Sequence, residues 1–268
     1  MCSQLIIDFH VHCFPDDIAE RAISALSETS CVTPRVNGTI RGIEASMETS
    51  GVEHSVLLSI ATKPQQTFKI NRWAAGIQSD RIIPFGSIHP DCSEWENELQ
   101  MLHKAGIKGI KFHPEYQSFY VDDPKMFHIY EKAAELGLIM LFHAGGDIGL
   151  APPYHCLPDR MRNVVRKFSG AKIVAAHMGG YDSWNDVEKY LAGEQLYFDT
   201  SYSLHMLGRE QFLRIAAKHG YDRLLFATDS PWADQAEEVK RLAAMPLPPG
   251  EMEAVLGGNA ARLLGLTC

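Results

Sequence analysis

At 268 residues, 46% of them hydrophobic, the chain is long enough for one large core, and α/β barrels routinely use about this length for a single domain. A formal charge of −8 and a pI near 5.8 argue against a broadly basic face for nucleic acid or anionic membrane, and no apolar run approaches spanning length. Six cysteines, at positions 2, 13, 31, 92, 156 and 268, show no CxxC spacing, and no secretory leader stands ahead of Asp8, so the expectation is reduced thiols in a cytoplasmic protein.

Residues 5–12, Leu-Ile-Ile-Asp-Phe-His-Val-His, read as a buried first strand. Period two places Asp8, His10 and His12 on one face and Ile7, Phe9 and Val11 on the other. Two imidazoles converging from one strand supply half of a four-coordinate metal site. A pair of hydrogen-bonded core histidines is the alternative.

A short helix fits Ile18 to Leu26, then a Ser/Thr/Pro/Gly-rich excursion over residues 27–38 and a helix from Ile40 to Ser50 closed by Gly51. The second strand is Ser55 to Ile60, with a helix over Phe68 to Ser79. Ile82 to Ile88 is the third strand, ending at His89-Pro90, and Trp95 to Lys104 is helical. The fourth strand, Gly109 to His113, has Lys111 and His113 on one face and Phe112 on the other. A helix over Pro124 to Leu136, with proline in its first turn and Gly137 as its stop, leads to the fifth strand, Leu138 to His143, which runs into Ala-Gly-Gly-Asp.

Met161 to Phe168 is the next helix, Lys172 to His177 the sixth strand, Trp184 to Leu191 a helix and Leu196 to Ser201 the seventh strand. Arg209 to His219 is helical, Leu224 to Asp229 is the eighth strand, and the tail holds a helix over Ala236 to Met245, a proline-rich break and a last helix from about Gly258. Eight strands separated by helices are the count of a closed parallel barrel, here one domain over residues 1–268. An open doubly wound sheet shares the pattern, but no Gly-rich phosphate loop follows the first strand.

His10, His12, His89, His113, His143, His177 and Asp229 all fall at C-terminal strand ends, which in a barrel surround one mouth. Parity makes Ile139, Leu141 and His143 one set, Ile173, Ala175 and His177 a second, and Leu225, Ala227 and Asp229 a third. In each set the apolar members would fill the barrel and the last would point to the mouth. Position alone does not separate ligand from catalyst among these histidines.

The motifs Asp8-Phe9-His10-Val11-His12, Leu141-Phe142-His143-Ala144-Gly145, Ala176-His177-Met178-Gly179-Gly180 and Ala227-Thr228-Asp229-Ser230-Pro231 resemble those of the metal-dependent amidohydrolase superfamily. The resemblance is to its amidohydrolase-related branch, which includes the aminocarboxymuconate-semialdehyde decarboxylase-like enzymes, and it covers nearly the whole chain. It implies a distorted (β/α)₈ barrel with one divalent ion held by His10, His12, His143 and Asp229. It also implies a catalytic role for His177, which would activate water or polarise the substrate, with Asp229 as proton acceptor. A nitrogen-rich ligand set favours zinc, with manganese admitted by ligand type. Asp8, inward by parity, is expected to support the ligands or the strand end.

Lys111 is two residues inside His113 rather than at the strand's end, and reads as a substrate-anion contact or an interior ion pair. His113 and His89 are expected either to line the pocket or to position loops, and Tyr181 and Trp184 either to form an aromatic wall or, the favoured reading, to pack the loop after Gly-Gly against the next helix. The leading functional expectation is a hydrolase acting through metal-activated water on an ester, lactone or amide of a small anionic, carboxylated substrate. The second reading is a non-oxidative decarboxylase, and a non-enzymatic scaffold fits poorly. The resemblance also raises a homodimer.

Overall fold

The short apolar runs of the sequence become parallel strands β1 (Ile7–Val11), β2 (His54–Leu58), β3 (Ile82–Ser87), β4 (Gly109–Phe112), β5 (Ile139–Phe142), β6 (Ile173–Ala175), β7 (Tyr197–Asp199) and β8 (Leu224–Leu225). They neighbour one another in chain order in a computed structural model that describes residues 4–248 and 250–266. The circle closes after β8: the amide of Phe9 donates to the Phe226 carbonyl at 2.9 Å, Asp229 to His10 at 2.8 Å and His12 to Ser230 at 2.6 Å. This is the expected (β/α)₈ barrel, a single domain.

Around it lie α1 (Asp16–Ser30), α2 (Ile40–Ser50), α3 (Gln66–Gly76), α4 (Trp95–Lys104), α5 (Phe127–Glu135), α6 (Pro158–Lys167), α7 (Trp184–Tyr190), α8 (Arg209–His219) and α9 (Gln235–Ala243), then a helical segment over residues 251–264. Two cores result. Ile7, Phe9, Phe85, Leu141, Val174 and Leu225 fill the barrel, while Val11, Leu57, Phe112, Phe142, Ala175 and Phe198 pack with the helices. Gly109 is required inside: a Cβ there would meet the Phe85 ring at 2.4 Å and the Ile139 carbonyl at 2.6 Å.

Strict alternation fails on β1. Between Asp8 and Val11 the register with β2 shifts, so three steps on β1 match two on β2, from Ser55 to Leu57. Ile7 and Phe9 therefore fill the barrel although Val11 faces outward, and His10 and His12 still reach the mouth. Asp8 is turned outward as well. It accepts from the Thr228 amide and hydroxyl and from Gln235 on α9, tying β1 to the closing segment rather than touching the site. On β6 the expected set is also reversed: Val174 and Ala176 face inward, and His177 enters the mouth because its backbone turns to φ 60°.

The last three strands are shorter than expected, each for a visible reason. β6 gives way to the positive φ of His177 and Met178, and past β7 the side chain of Asp199 takes the amides of His177 and Ser201. Beyond β8 the Phe226 amide bonds to Val255 of the C-terminal segment. Conversely, α1 runs past Leu26 to Ser30, and in its last turn the hydroxyls of Thr29 and Ser30 bond back to the carbonyls of Ala25 and Leu26. Cys13, Cys31, Cys92 and Cys156 are free thiols, whereas Cys2 and Cys268 lie outside the described residues. No described helix is long and apolar enough to cross a membrane.

Candidate active site

His10 and His12 leave β1 at the barrel mouth, and Asp229 arrives from the segment that closes the barrel. The outer ring nitrogen of each histidine is already committed: His10 Nδ1 lies 2.9 Å from the Asp199 carboxylate and His12 Nδ1 2.8 Å from the Leu58 carbonyl. Those oxygens only accept, so each Nδ1 carries the proton and each Nε2 presents a lone pair. The two Nε2 atoms are 3.2 Å apart, and Asp229 Oδ1 lies 3.3 Å from one and 3.1 Å from the other. Burial keeps His10 well below its ordinary range, so its ring is neutral. Three lone-pair donors thus converge with no proton between them, a donor set that fits a divalent cation.

His143, at the end of β5, stands on the far side of His177. Its Nε2 donates to the Gly146 carbonyl at 2.9 Å, which leaves Nδ1 as a lone pair 3.0 Å from His177 Nε2. His177 Nδ1 faces the Ser201 carbonyl and hydroxyl oxygen at 3.0 Å each, and that hydroxyl donates to Asp199, so Nδ1 bears a proton too. The short His143–His177 contact then needs either one further proton or a cation at His143 Nδ1. His143 is therefore prepared as a ligand in the same way as His10 and His12, with its outer N–H tied to an oxygen. His177 is ringed by groups that fix it: its amide donates to Asp199 at 3.0 Å, and Trp184 Nε1 donates to its carbonyl at 3.1 Å. His177 and Asp229, with φ of 60° and 70°, both sit in the left-handed region that non-glycine residues enter at a cost of about 1–3 kcal/mol.

A second His–His–Asp group lies beside the first. His113, at the end of β4, accepts from the Tyr116 amide at Nδ1 and points Nε2 at Asp147 Oδ2, 3.3 Å away; its ring stacks on His143 with centroids 4.1 Å apart. Burial pushes His113 down to about 4, so it is neutral, whereas hydrogen bonding from His113 overcomes burial and holds Asp147 low. Lys111 sits inside the barrel with Nζ 3.3 Å from His10 Nε2. Burial pulls its ammonium down to about 8 against the attraction of Asp199 and Asp229.

His10, His12, Lys111, His113, His143, Asp147, His177 and Asp229 line one cavity of about 730 Å³, whose walls include Tyr116, Tyr181, Tyr202 and Trp232. His89 is not part of the lining; it holds its own loop by accepting from the Asp91 amide. Tyr181 lines the cavity, while Trp184 packs behind it and braces His177. Sequence reasoning missed Asp199 and Asp147. The first carried the signal used elsewhere, a carboxylate at a barrel strand's C-terminal end. The second lies on an irregular loop, where no period predicts direction.

The family model described as Amidohydrolase matches residues 7–266. No curated protein matches the chain. Among solved structures, 5-carboxyvanillate decarboxylase from Sphingomonas paucimobilis superposes with a TM-score of 0.75 at 18% identity, covering 99% of this chain and 100% of that one. The 2,6-dihydroxybenzoate decarboxylase from Rhizobium gives 0.71 at 14% identity, over 98% and 99%. A dihydroxybenzoic acid decarboxylase from Polaromonas sp. JS666, with bound manganese and 2-nitroresorcinol, gives 0.71 at 15% identity, over 98% and 97%. These relatives correct the expectation of a hydrolase acting on an ester, lactone or amide, because they are decarboxylases. The physical reason for the error is that the motifs encode a charge-focusing donor set, and that set serves either reaction.

Proposed function

The chain belongs to the amidohydrolase family, and from that premise we propose that it is a metal-dependent, non-oxidative decarboxylase of small aromatic acids. The observation that carries the reading is the convergence of the His10, His12 and Asp229 lone pairs beside the Lys111 ammonium at one end of an aromatic-walled cavity. That end concentrates positive charge for a carboxylate once a cation is bound, and the walls suit a ring. The decarboxylase relatives support the same conclusion. His10, His12, His143 and Asp229 are the residues we assign to one divalent ion. Manganese is preferred to zinc, since it is the ion bound in the Polaromonas relative.

When bound, the ion would supply positive charge against the substrate's carboxylate and an adjacent phenolic oxygen. Lys111 and His113 hold the anionic end, the first by charge and the second through its Asp147-fixed ring. His177, oriented by Ser201 and Trp184, is the group we assign to bring a proton to the ring carbon that bears the carboxylate. The bond from that carbon to the carboxylate then breaks, its electrons restore the ring and carbon dioxide leaves. Solvent returns the proton to His177. Asp229 remains a carboxylate throughout and balances the ion's charge.

The test is a screen of manganese-loaded protein against hydroxybenzoates, following carbon dioxide and the decarboxylated phenol. Equal amounts of both are expected, with deuterium from heavy water at the vacated ring position. Acid release from lactones or esters without carbon dioxide would overturn the proposal.

A further inference from the structure

Helix α1 carries two apolar stripes. Ala19 and Ile23 are buried and pack it onto the fold, whereas Ile18, Ala22 and Leu26, spaced four apart on a neighbouring face, line the cavity and are half-buried. The stripe facing the cavity is not needed to dock the helix. Val32, Ile70 and Trp73 continue the same wall from the following loop and from α3. The eight residue steps from Ile18 to Leu26 span about 12 Å of helix. At about 30 Å³ per water-sized volume, 730 Å³ holds on the order of 24 such volumes, roughly twice the about 11 non-hydrogen atoms of a dihydroxybenzoate.

Asp17, Gln66 and Lys69 also line the cavity near the apolar stripe, while Lys111, His10, His12 and Asp229 stand together at the strand ends. A single-ring acid anchored there leaves the aliphatic end filled only by water. We infer that the preferred substrate is an aromatic carboxylate bearing an unbranched alkyl substituent, which runs along the Ile18–Ala22–Leu26 face of α1. This deepens the decarboxylase reading and rests on it for the identity of the anionic head, but the arm itself is a binding property. Each methylene moved from water into the arm adds about 3- to 4-fold in affinity.

The experiment is calorimetric binding to the manganese-loaded full chain of 2-hydroxybenzoates that carry no chain, methyl, butyl or hexyl, either para or meta to the carboxylate, with carbon dioxide measured separately. In at least one series the dissociation constant should fall about 3- to 4-fold per methylene over the first four carbons. Ala22→Trp, which fills the arm, should bring the hexyl-to-unsubstituted affinity ratio close to one, and Leu26→Ala should reduce it; circular dichroism checks that both variants fold. Flat affinities in both series, or variants whose ratio equals that of the parent, would overturn the arm. Chain-dependent binding without carbon dioxide supports the arm and removes the decarboxylase reading. Carbon dioxide release with no chain dependence does the opposite.

Discussion

The mouth of the barrel holds two groups with the same formula, two histidines and an aspartate, and they are in opposite electrostatic states. In His10–His12–Asp229 every outer N–H is spent on an oxygen outside the group, so three lone pairs face one another across 3.1–3.3 Å. In His113–His143–Asp147 the proton of His113 Nε2 points into the group, at the carboxylate 3.3 Å away, and that of His143 Nε2 lies between Gly146 and the same carboxylate. The first is suited to a cation, whereas the second is closed by its own protons. Residue type does not separate them; the hydrogen bonds made on the outward side do. His143 lies in the second group, and its Nδ1 faces away from Asp147 towards His177.

The largest expected effect comes from disturbing the first group at its only charge. Asp229→Asn should lower bound manganese and cut turnover by about 10³-fold or more, with excess ion restoring occupancy but not the rate. Elemental analysis beside turnover checks this, and normal metal content with normal rate would erase the contrast between the groups. His177→Asn should retain the ion, yet lose roughly 10²–10⁴-fold in turnover because the proton carrier is gone. Loss of metal in that variant would make His177 a ligand.

Asp199→Asn tests the outward hydrogen bond itself. It takes the carboxylate from His10 Nδ1 and should weaken metal affinity by about 10–100-fold, read by competition with a chelating dye. Asp147→Asn, the matching change in the second group, should leave metal content unaltered and shift turnover by no more than about tenfold, since His113 keeps an oxygen to donate to. If Asp147→Asn released the metal, the second group would be a ligand set as well.

The smallest effect concerns Glu115, behind the second group, where Oε1 accepts from the His155 amide and Oε2 makes no hydrogen bond, with His113 Nδ1 3.9 Å away. Burial pushes this carboxyl from 4.5 up to about 7. The folded state therefore binds the proton more tightly than the unfolded state. The stability it contributes is complete below pH about 4.5 and is lost as pH rises through about 7, on the order of 3 kcal/mol in total. Glu115→Gln should flatten the denaturant midpoint across that interval, and an unchanged slope would place the loss elsewhere.

Much of this site was legible because barrel geometry converts sequence position into spatial position. A polar residue at the C-terminal end of each strand reaches the same mouth, so His10, His12, His113, His143, His177 and Asp229 could be gathered before any distance was known. Apolar runs of four to eight residues likewise marked where the strands and helices lie. What the sequence could not decide was direction and protonation. Strict parity placed Asp8 inward and His177 on the face of Ile173, but a register shift on β1 and a left-handed turn after β6 reversed both, because a single inserted or turned residue moves every side chain beyond it to the other face. Nor could it tell which histidines offer lone pairs. That depends on Leu58, Gly146, Asp199 and Ser201, which come from three different strand ends and meet the rings only when the barrel closes.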